Sequence, residues 1–561
     1  MTNNEIADYF SLLSKLMDIH GEDAFRAKSY SIAAYHIENL PTQASEMDDT
    51  TLFGMRGIGQ STGQKIREIL QTGKLQQLEE WVAKTPHGVL EMMQIKGLGP
   101  KKIALLWKEH QIETVGELEY ACQENRLSSI KGFGEKTQNN ILEAIQFLNK
   151  SKGFHLWAEV YSTASSLVEN LRKTHPRHRF DITGDLRSHC ETVSQISLLT
   201  DLPGETLFQN ITKIPNVRIE TINEQRSLVR IPNQPLIQVF FTKPSNYYQQ
   251  LFLTSGSEVF HQAFSEAYTI PDDAISEEAI FQTNQLSFIP PPLRESATVL
   301  QRAKTLVPFQ LIQPNDIRGI IHSHSTWSDG AASIADMARA AIDKGFEYLV
   351  LSDHSQAAYY ARGLKPEQIV AQHHEIDVLN NSLAPFKIFK SIEVDILNDG
   401  NLDYDDTVLN SLDLVIASVH SNLRMTLEKA MSRILRALEN PFTNILGHPT
   451  GRLLLSREGY PIDHKELIRA CARHNVVLEI NAHPRRLDLD WRWVEYALEQ
   501  GVLLSINPDA HAISGFDDVY FGVMAAQKGG LTKEHNLSSF TLSEFETFLK
   551  EQRTKRVSSL S

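Results

Sequence analysis

The sequence predicts a multidomain protein with a helical N-terminal region, an α+β middle region and a C-terminal α/β region built around a parallel sheet. Its 561 residues are too many for one ordinary domain, which takes roughly 150 residues. Short turns with paired glycines recur between helical patterns in the first 150 residues. After residue 316, seven short apolar strands alternate with amphipathic helical patterns, as in a sheet covered by helices.

Composition and charge limit the partners that this chain can have. Hydrophobic residues make up 41% of the chain and charged residues 22%, as in globular proteins, and no apolar run is long enough to cross a bilayer. Residues 1–21 predict an amphipathic helix rather than a signal peptide, and three scattered cysteines form no disulfide framework. We therefore expect a cytoplasmic protein without a membrane partner. The net charge of −14 makes any nucleic-acid contact depend on local sites.

Three turns in the N-terminal region, at 55–66, 95–103 and 130–141, share one pattern: two glycines separated by an apolar residue, followed by a helix. The glycines permit positive φ, and the free amides of the following helix can bind a phosphate without reading the base sequence. A single copy is equally typical of an ordinary glycine-capped connection. Three copies resemble helix-hairpin-helix motifs, which implies DNA-backbone binding by Gly57, Gly59, Gly97, Gly99, Lys101, Gly132, Gly134 and Lys136.

This N-terminal region also resembles two domains of family X DNA polymerases, the lyase domain over residues 1–88 and the fingers domain over residues 89–150. The resemblance places Lys65 where the lyase lysine attacks an abasic sugar through a Schiff base. The alternative is a surface lysine on a helix. A second basic residue that the resemblance places early in the same helix is Ser61 here, which weakens phosphate capture.

The middle region, residues 151–300, contains a stretch at 182–201 that resembles the nucleotide-binding signature of the same polymerases. Gly184, Arg187, Thr192 and Val193 match that signature. The resemblance implies a nucleotidyltransferase-like α+β palm, followed by a thumb. Residues 301–315 form a linker to the last domain.

The residues that carry polymerase chemistry do not match. Polymerases of this family hold two Mg²⁺ ions with three aspartates, because hard cations need anionic oxygen ligands. The corresponding positions here are Gln195, Ser197 and Gln238. We therefore predict a degenerate polymerase site on a retained fold. The alternative is that Asp185 or Asp201 has taken over metal binding.

The C-terminal region, residues 316–561, repeats a short apolar strand that ends in a residue able to bind metal. His322 and His324 follow the first strand, and His, Asp or Glu residues follow the other six. Parallel strands bring such ends to one edge of the sheet, where active sites of barrels lie. One histidine at one strand end is more often structural, but seven such ends together indicate a metal site.

This pattern resembles the PHP (polymerase and histidinol phosphatase) family, which has a distorted (β/α)7 barrel and holds three metal ions. The departure from the family pattern is Ile320, where the family often has an aspartate. Mixed imidazole and carboxylate ligands favour Mn²⁺ or Zn²⁺ over Mg²⁺. Arg362 and Arg452 are candidates for binding a non-reacting phosphate, or are surface charges. The resemblance implies that the metal ligands are His322, His324, Asp329, His354, Glu393, His420, His448, Asp509 and His511.

The order of these regions resembles bacterial family X polymerases of the PolX type. The resemblance implies a metal-dependent DNA phosphoesterase that trims 3′ ends as a 3′–5′ exonuclease in DNA repair. Its partner would be gapped DNA, or DNA with free 3′ ends, bound through the DNA backbone. The sequence does not indicate any protein partner. Three alternatives are an active polymerase with a PHP exonuclease, a small-molecule phosphatase akin to histidinol phosphatase, and a non-catalytic DNA-binding scaffold.

Overall fold

The computed structural model describes all residues except 41, 124–126, 128–129, 212–215, 233 and 561. The chain divides into two compact units, Met1–Lys152 and Gly153–Ser561. This division falls next to the boundary predicted at residue 150, while the other predicted domain boundaries stay predictions. Within the described residues, no helix combines the length and apolar character needed to cross a membrane.

The first unit is built from helices packed around one apolar core. A capping box between Thr2 and Glu5 starts the first helix, and Gly21 ends it in the left-handed conformation. The described helices are α1 Asn3–His20, α2 Ala24–Glu38, α3 Asp49–Gly54, α4 Gln60–Thr72, α5 Gln76–Lys84, α6 His87–Met92, α7 Pro100–His110, α8 Val115–Gln123 and α9 Gly134–Ser151.

The second unit begins with a mixed sheet in the order β2-β4-β7-β6-β5, in which β4 and β7 are parallel and the other pairs antiparallel. This is the α+β architecture predicted for the middle region. Its strands are β1 His155–Leu156, β2 Phe180–Thr183, β3 Thr192–Val193, β4 Gln195–Thr200, β5 Arg218–Asn223, β6 Arg226–Arg230 and β7 Leu236–Phe241. Its helices are α10 Trp157–Thr174, α11 Gly184–Arg187, α12 Gly204–Ile211, α13 Tyr247–Leu253, α14 Glu258–Ala267, α15 Glu277–Thr283 and α16 Thr298–Ala303.

Seven parallel strands follow in the order β14-β13-β12-β11-β10-β9-β8. A parallel bridge between Ser323 and Ala510 brings the two edges together, so the sheet is a nearly closed barrel. The strands are β8 Gly319–Ser323, β9 Tyr348–Leu351, β10 Lys387–Asp395, β11 Leu414–Ser418, β12 Ile445–Leu446, β13 Val477–Asn481 and β14 Leu504–Asn507. The helices are α17 Ile334–Asp343, α18 Pro366–Leu383, α19 Asp406–Asn410, α20 Leu427–Glu439, α21 His464–His474, α22 Val494–Glu499, α23 Val519–Lys528 and α24 Leu542–Leu560.

Most barrel strands are buried along their whole length, which explains their continuous apolar character in the sequence. The middle region packs against this barrel within the second unit, and one apolar core runs through both. Buried polar contacts join them as well. The ammonium of Lys528 on α23 donates to the carbonyl oxygen of Ser188 at 2.7 Å and pairs with Glu295.

Candidate functional site

The predicted metal ligands converge at the carboxyl ends of the barrel strands. Eight of the nine fall into three overlapping groups, and within each group the ligand atoms lie within 4.8 Å of one another. His324 and His354 each belong to two groups, and Glu393 also belongs to two. The groups are His324, Asp329, His354 and His511; His322, His324, Glu393 and Asp509; and His354, Glu393 and His420.

Glu393, near the end of β10, lies at the centre of the cluster and is almost completely buried. One of its oxygens, Oε1, lies 3.1 Å from His420 Nε2 and 3.3 Å from His322 Nε2. The ninth predicted ligand, His448, has its Nε2 only 2.9 Å from the same oxygen. The second oxygen, Oε2, lies 3.0 Å from His354 Nδ1. One carboxylate thus faces four imidazoles from four strand ends, as a bridging metal ligand does.

The close contacts in this cluster fit shared metal ions better than hydrogen bonds. His354 Nδ1 and Glu393 Oε2 lie 3.0 Å apart, yet both atoms are buried without a hydrogen-bond partner. His322 Nε2 is buried in the same way. Two ligands of one tetrahedral zinc ion, each about 2.1 Å from the metal, stand roughly 3.4 Å apart. Since buried polar atoms are normally paired, these orphan atoms and spacings fit metal coordination.

Two carboxylates outside the predicted ligand set orient the imidazoles. Glu479 Oε2 lies 2.6 Å from His322 Nδ1, and Asp395 Oδ1 lies 3.1 Å from His420 Nδ1. Each contact turns the Nε2 atom of the histidine towards the cluster. Metal-binding histidines usually have such a partner, which fixes the ring and its tautomer. Neither Glu479 nor Asp395 is in the ligand set predicted from the sequence.

The charges of the side chains in this cluster depend strongly on one another. Burial disfavours the imidazolium of His420, but Glu393 and Asp395 outweigh that effect and raise its pKa to about 10. Burial likewise disfavours the carboxylate of Glu393, and the neighbouring histidines hold its pKa well below the usual range. These shifts favour a negatively charged Glu393 surrounded by positive charge. Bound cations would supply that positive charge.

The backbone around the ligands is both strained and supported. Three ligands adopt positive φ, with values of 67° at His322, 26° at His448 and 52° at Asp509. Such conformations cost about 1–3 kcal/mol each and concentrate at functional sites. Buried Asp353 supports the loop that carries His324 and Asp329, because it accepts hydrogen bonds from the backbone amide of Ser325 at 2.8 Å and from that of Ser328 at 3.2 Å.

The two arginines predicted to bind phosphate have different surroundings in the structure. Arg362 is exposed in the segment after β9. The prediction for Arg452 needs correction, because its guanidinium is occupied by Asp490 at 2.8 Å, by Glu191 and by the backbone carbonyls of Arg486 and Leu487. Arg486, which was not predicted from the sequence to bind phosphate, is partly exposed. Its Nε lies 3.8 Å from Asp509 Oδ2.

The ion pair between Arg452 and Glu191 joins the middle region to the loop that follows the predicted ligand His448. Arg452 lies four residues after the ligand His448, whereas Glu191 precedes β3, and their side chains are 13% and 9% exposed. We expect Glu191→Gln to reduce hydrolytic activity and stability together, because the buried Arg452 loses one of its two carboxylate partners and keeps only Asp490, at a cost of about 1–3 kcal/mol.

Urea unfolding and steady-state hydrolysis would measure the two effects of Glu191→Gln. Glu159→Gln is the matched control, since its ion pair with Arg485 is half exposed on both sides. A Glu191→Gln variant as stable and active as the wild type would rule out this connection.

The three residues at the polymerase-site positions also lie together. Ser197 on β4 and Gln238 on β7 are register partners, and the side-chain amides of Gln195 and Gln238 are in contact. Arg226 Nη2 lies 3.1 Å from the amide of Gln238. Asp201 lies beyond the other end of β4, where Arg179 Nε binds it at 2.8 Å. Among the described residues, the possible metal-binding groups all lie in the barrel.

The predicted DNA-contacting turns have the expected backbone. The first glycine of each pair has positive φ, with values of 79° at Gly57, 86° at Gly97 and 95° at Gly132. Each turn leads into a helix, α4, α7 or α9, whose first turn has no side-chain cap among the described residues. Lys101 and Lys136 are exposed at two of these helix starts. Lys65 lies on α4, 3.5 Å from Ser61 Oγ.

Comparison with protein families supports this division of the chain. A helix-hairpin-helix domain matches residues 1–75, a SAM-like helix-hairpin-helix tandem matches residues 89–146, and a PHP domain matches residues 321–483. The barrel and its ligand cluster thus define a PHP-type phosphoesterase, a hydrolytic enzyme of a metal-dependent class. This excludes the non-catalytic scaffold.

Known relatives identify the family. The chain is 34% identical over 98% of its length, and over the whole of the relative, to the DNA polymerase/3′-5′ exonuclease PolX of Bacillus subtilis. A probable phosphatase of Thermoanaerobacter is 26% identical, over 42% of this chain and 95% of the relative. A probable phosphatase of Caldanaerobacter subterraneus is 28% identical, over 28% of this chain and 60% of the relative. The chain belongs to the PolX family with a C-terminal PHP domain.

Proposed function

We propose that this enzyme hydrolyses phosphoester bonds at DNA 3′ ends, as a 3′–5′ exonuclease in DNA repair, and that its polymerase site is inactive. The observation that carries the proposal is the complete ligand cluster around Glu393, in a chain that also has three helix-hairpin-helix turns. The Bacillus subtilis relative is named as a 3′-5′ exonuclease as well as a polymerase.

Different residues of the barrel have different proposed roles in hydrolysis. The nine predicted ligands would hold three Mn²⁺ or Zn²⁺ ions, which activate water and polarise the phosphoryl oxygen when bound. Glu479 and Asp395 keep the imidazoles of His322 and His420 oriented for the metals. Arg486 and Arg362 are the guanidinium groups proposed to bind the phosphate that does not react.

The loss of polymerase activity rests on the charges at the palm-like site. Gln195, Ser197 and Gln238 bring no carboxylate, and the cation Arg226 lies against Gln238. Neutral groups beside a guanidinium are poor ligands for Mg²⁺. Asp201 is already bound by Arg179 and His178. The sheet would then serve as a scaffold for the barrel rather than as a second catalytic centre.

A primer assay tests both parts of the proposal. The substrate is a 5′-labelled primer annealed across a one-nucleotide gap, with Mn²⁺ and all four deoxynucleotides. We expect the primer to shorten without extension, and the variant with His322→Ala and His324→Ala to leave it intact. Extension of the primer would contradict the inactive polymerase site. Shortening by the double histidine variant would contradict the metal-dependent exonuclease.

The helix-hairpin-helix turns lead to a separate prediction for DNA binding. We expect Lys101→Ala combined with Lys136→Ala to weaken DNA binding at low salt and to lower the slope of log affinity against log salt by about 2, since each lost phosphate contact contributes about 1. Fluorescence anisotropy with a labelled duplex measures both quantities. Lys74→Ala, an exposed lysine outside the three turns, is the matched control. An unchanged salt slope in the double variant would exclude these two contacts.

A small-molecule phosphatase is the second candidate, because the two probable phosphatases match only 42% and 28% of this chain. A competition experiment between DNA and a small phosphate ester distinguishes the two functions. If single-stranded DNA inhibits hydrolysis of a small phosphate ester, both substrates use the same centre in a DNA-processing enzyme. Hydrolysis of the ester with no inhibition and no DNA shortening would favour the small-molecule phosphatase.

A further inference from the structure

Two neighbouring tyrosines project into solvent from the segment between β9 and α18. Tyr359 is 86% exposed and Tyr360 is 62% exposed. Their ring centroids are 6.1 Å apart, and the ring planes meet at 79°. The two rings therefore form an open aromatic corner, which the functions described above leave without a role. We call Tyr359 and Tyr360 the aromatic corner.

The segment that carries the aromatic corner is firmly anchored at its base. The amide of Ala357 donates to Asp403 Oδ2 at 2.6 Å, and the amide of Leu364 donates to the carbonyl oxygen of His354 at 2.8 Å. A β-carbon added to Gly363 would lie 1.8 Å from the carbonyl oxygen of Ser355, so the backbone passes very close to itself there. The exposed rings of Tyr359 and Tyr360 are therefore carried by a loop whose backbone is held by hydrogen bonds.

The aromatic corner lies beside the metal ligands. The Tyr360 ring centroid is 6.4 Å from that of His354, a member of two of the three ligand groups. Tyr359 lies further out, and the exposed Arg362 follows in the same segment. The ring of Tyr360 therefore borders the ligand cluster, and Arg362 is two residues further along the chain.

We propose that the aromatic corner stacks a base of a single-stranded DNA end while the neighbouring phosphate lies on the metal cluster. This inference rests on the proposed function and specifies how that site recognises its substrate. Every base has a π-face, so stacking on tyrosine tolerates any sequence and contributes about 1–3 kcal/mol per base. Arg362, two residues further along the chain, offers a guanidinium that could bind the phosphate following the base. Bases in a duplex are already stacked, and the corner therefore favours an unpaired end over a paired one.

The test compares two 5′-labelled oligonucleotides of equal length, cleaved by the full-length enzyme with Mn²⁺. One has ordinary nucleotides throughout, and in the other the last three 3′ positions are abasic. We expect the wild type to show a KM about 5- to 150-fold lower for the ordinary oligonucleotide, which corresponds to stacking of one base. Tyr359→Ala and Tyr360→Ala should each bring this KM ratio towards one.

Two further variants distinguish stacking from a structural effect. Tyr359→Phe keeps the ring and should keep the KM preference for the ordinary oligonucleotide. Val370→Ala removes another exposed apolar side chain, 69% exposed on the following helix α18, and should keep the preference as well. Loss of the preference in Tyr359→Phe or Val370→Ala would overturn base stacking as its cause.

The remaining outcomes separate this inference from the proposed function. If the wild type shortens both oligonucleotides with the same KM, or if both alanine variants keep the preference, base stacking is overturned while the exonuclease remains. If the wild type shortens neither oligonucleotide, the proposed function fails and the inference fails with it.

Discussion

Glu393→Gln is expected to abolish measurable DNA hydrolysis and to lower the metal content of the enzyme. Glu393 contacts the imidazoles of His322, His354, His420 and His448 and belongs to two of the three ligand groups. Glutamine keeps the size of the side chain but removes the charge that balances the cations. The loss of activity should exceed the roughly 10–100-fold decrease that follows loss of a residue that only orients a metal ligand.

Metal analysis of the purified protein and the primer assay together check this prediction. Asp395→Asn, which changes the residue that orients His420, should cause an intermediate loss of about 10–100-fold. Glu367→Gln, an exposed glutamate in the first turn of α18, should leave both metal content and rate unchanged. Full activity and metal content in Glu393→Gln would disprove the assignment of the site.

Glu277→Ala is expected to give the largest loss of stability in the middle region, about 3–5 kcal/mol. Glu277 pairs with Arg294 at 2.7 Å, and Arg294 is completely buried. Glu277 also accepts a hydrogen bond from Arg187 at 3.0 Å. Removal of this carboxylate leaves a guanidinium without its counter-ion in the interior. The same contact engages Arg187, one of the residues that match the nucleotide-binding signature.

The free energy of unfolding in urea measures this effect. Glu278→Ala, which removes an exposed carboxylate from the next position in α15, is the matched control and should change stability little. A Glu277→Ala variant as stable as Glu278→Ala would show that the buried network contributes nothing.

The pH dependence of stability provides an independent check on Glu277. Burial disfavours its carboxylate, but Arg294 and Arg187 outweigh burial and lower its pKa. A lowered pKa in the folded state means that the stabilisation is complete above the ordinary glutamate pKa of about 4.3 and is lost as the pH falls through the folded pKa. Glu277→Gln should therefore lose less stability on acidification than the wild type.

The sequence by itself determined the order of the regions and indicated the set of His, Asp and Glu residues that the structure brings together. Strands buried on both faces show as continuous apolar runs, and each run in the C-terminal region ends in a residue able to bind metal. Since parallel strand ends meet at one edge, local pattern was enough to bring His322, Glu393 and Asp509 together. The positive φ of Gly57 and Gly97 was equally predictable, because the spacing of paired glycines is a local signal.

Only the tertiary structure decided which side chains support that cluster and which are occupied elsewhere. Glu479 orients His322 from 157 residues further along the chain, and Glu191 engages Arg452 from 261 residues earlier. The sequence suggested a phosphate-binding role for Arg452, and closure of the barrel against the middle region gave it carboxylate partners instead. Such pairings leave no periodic pattern in the sequence, because the packing of distant elements brings the charges together and burial then requires them to be paired.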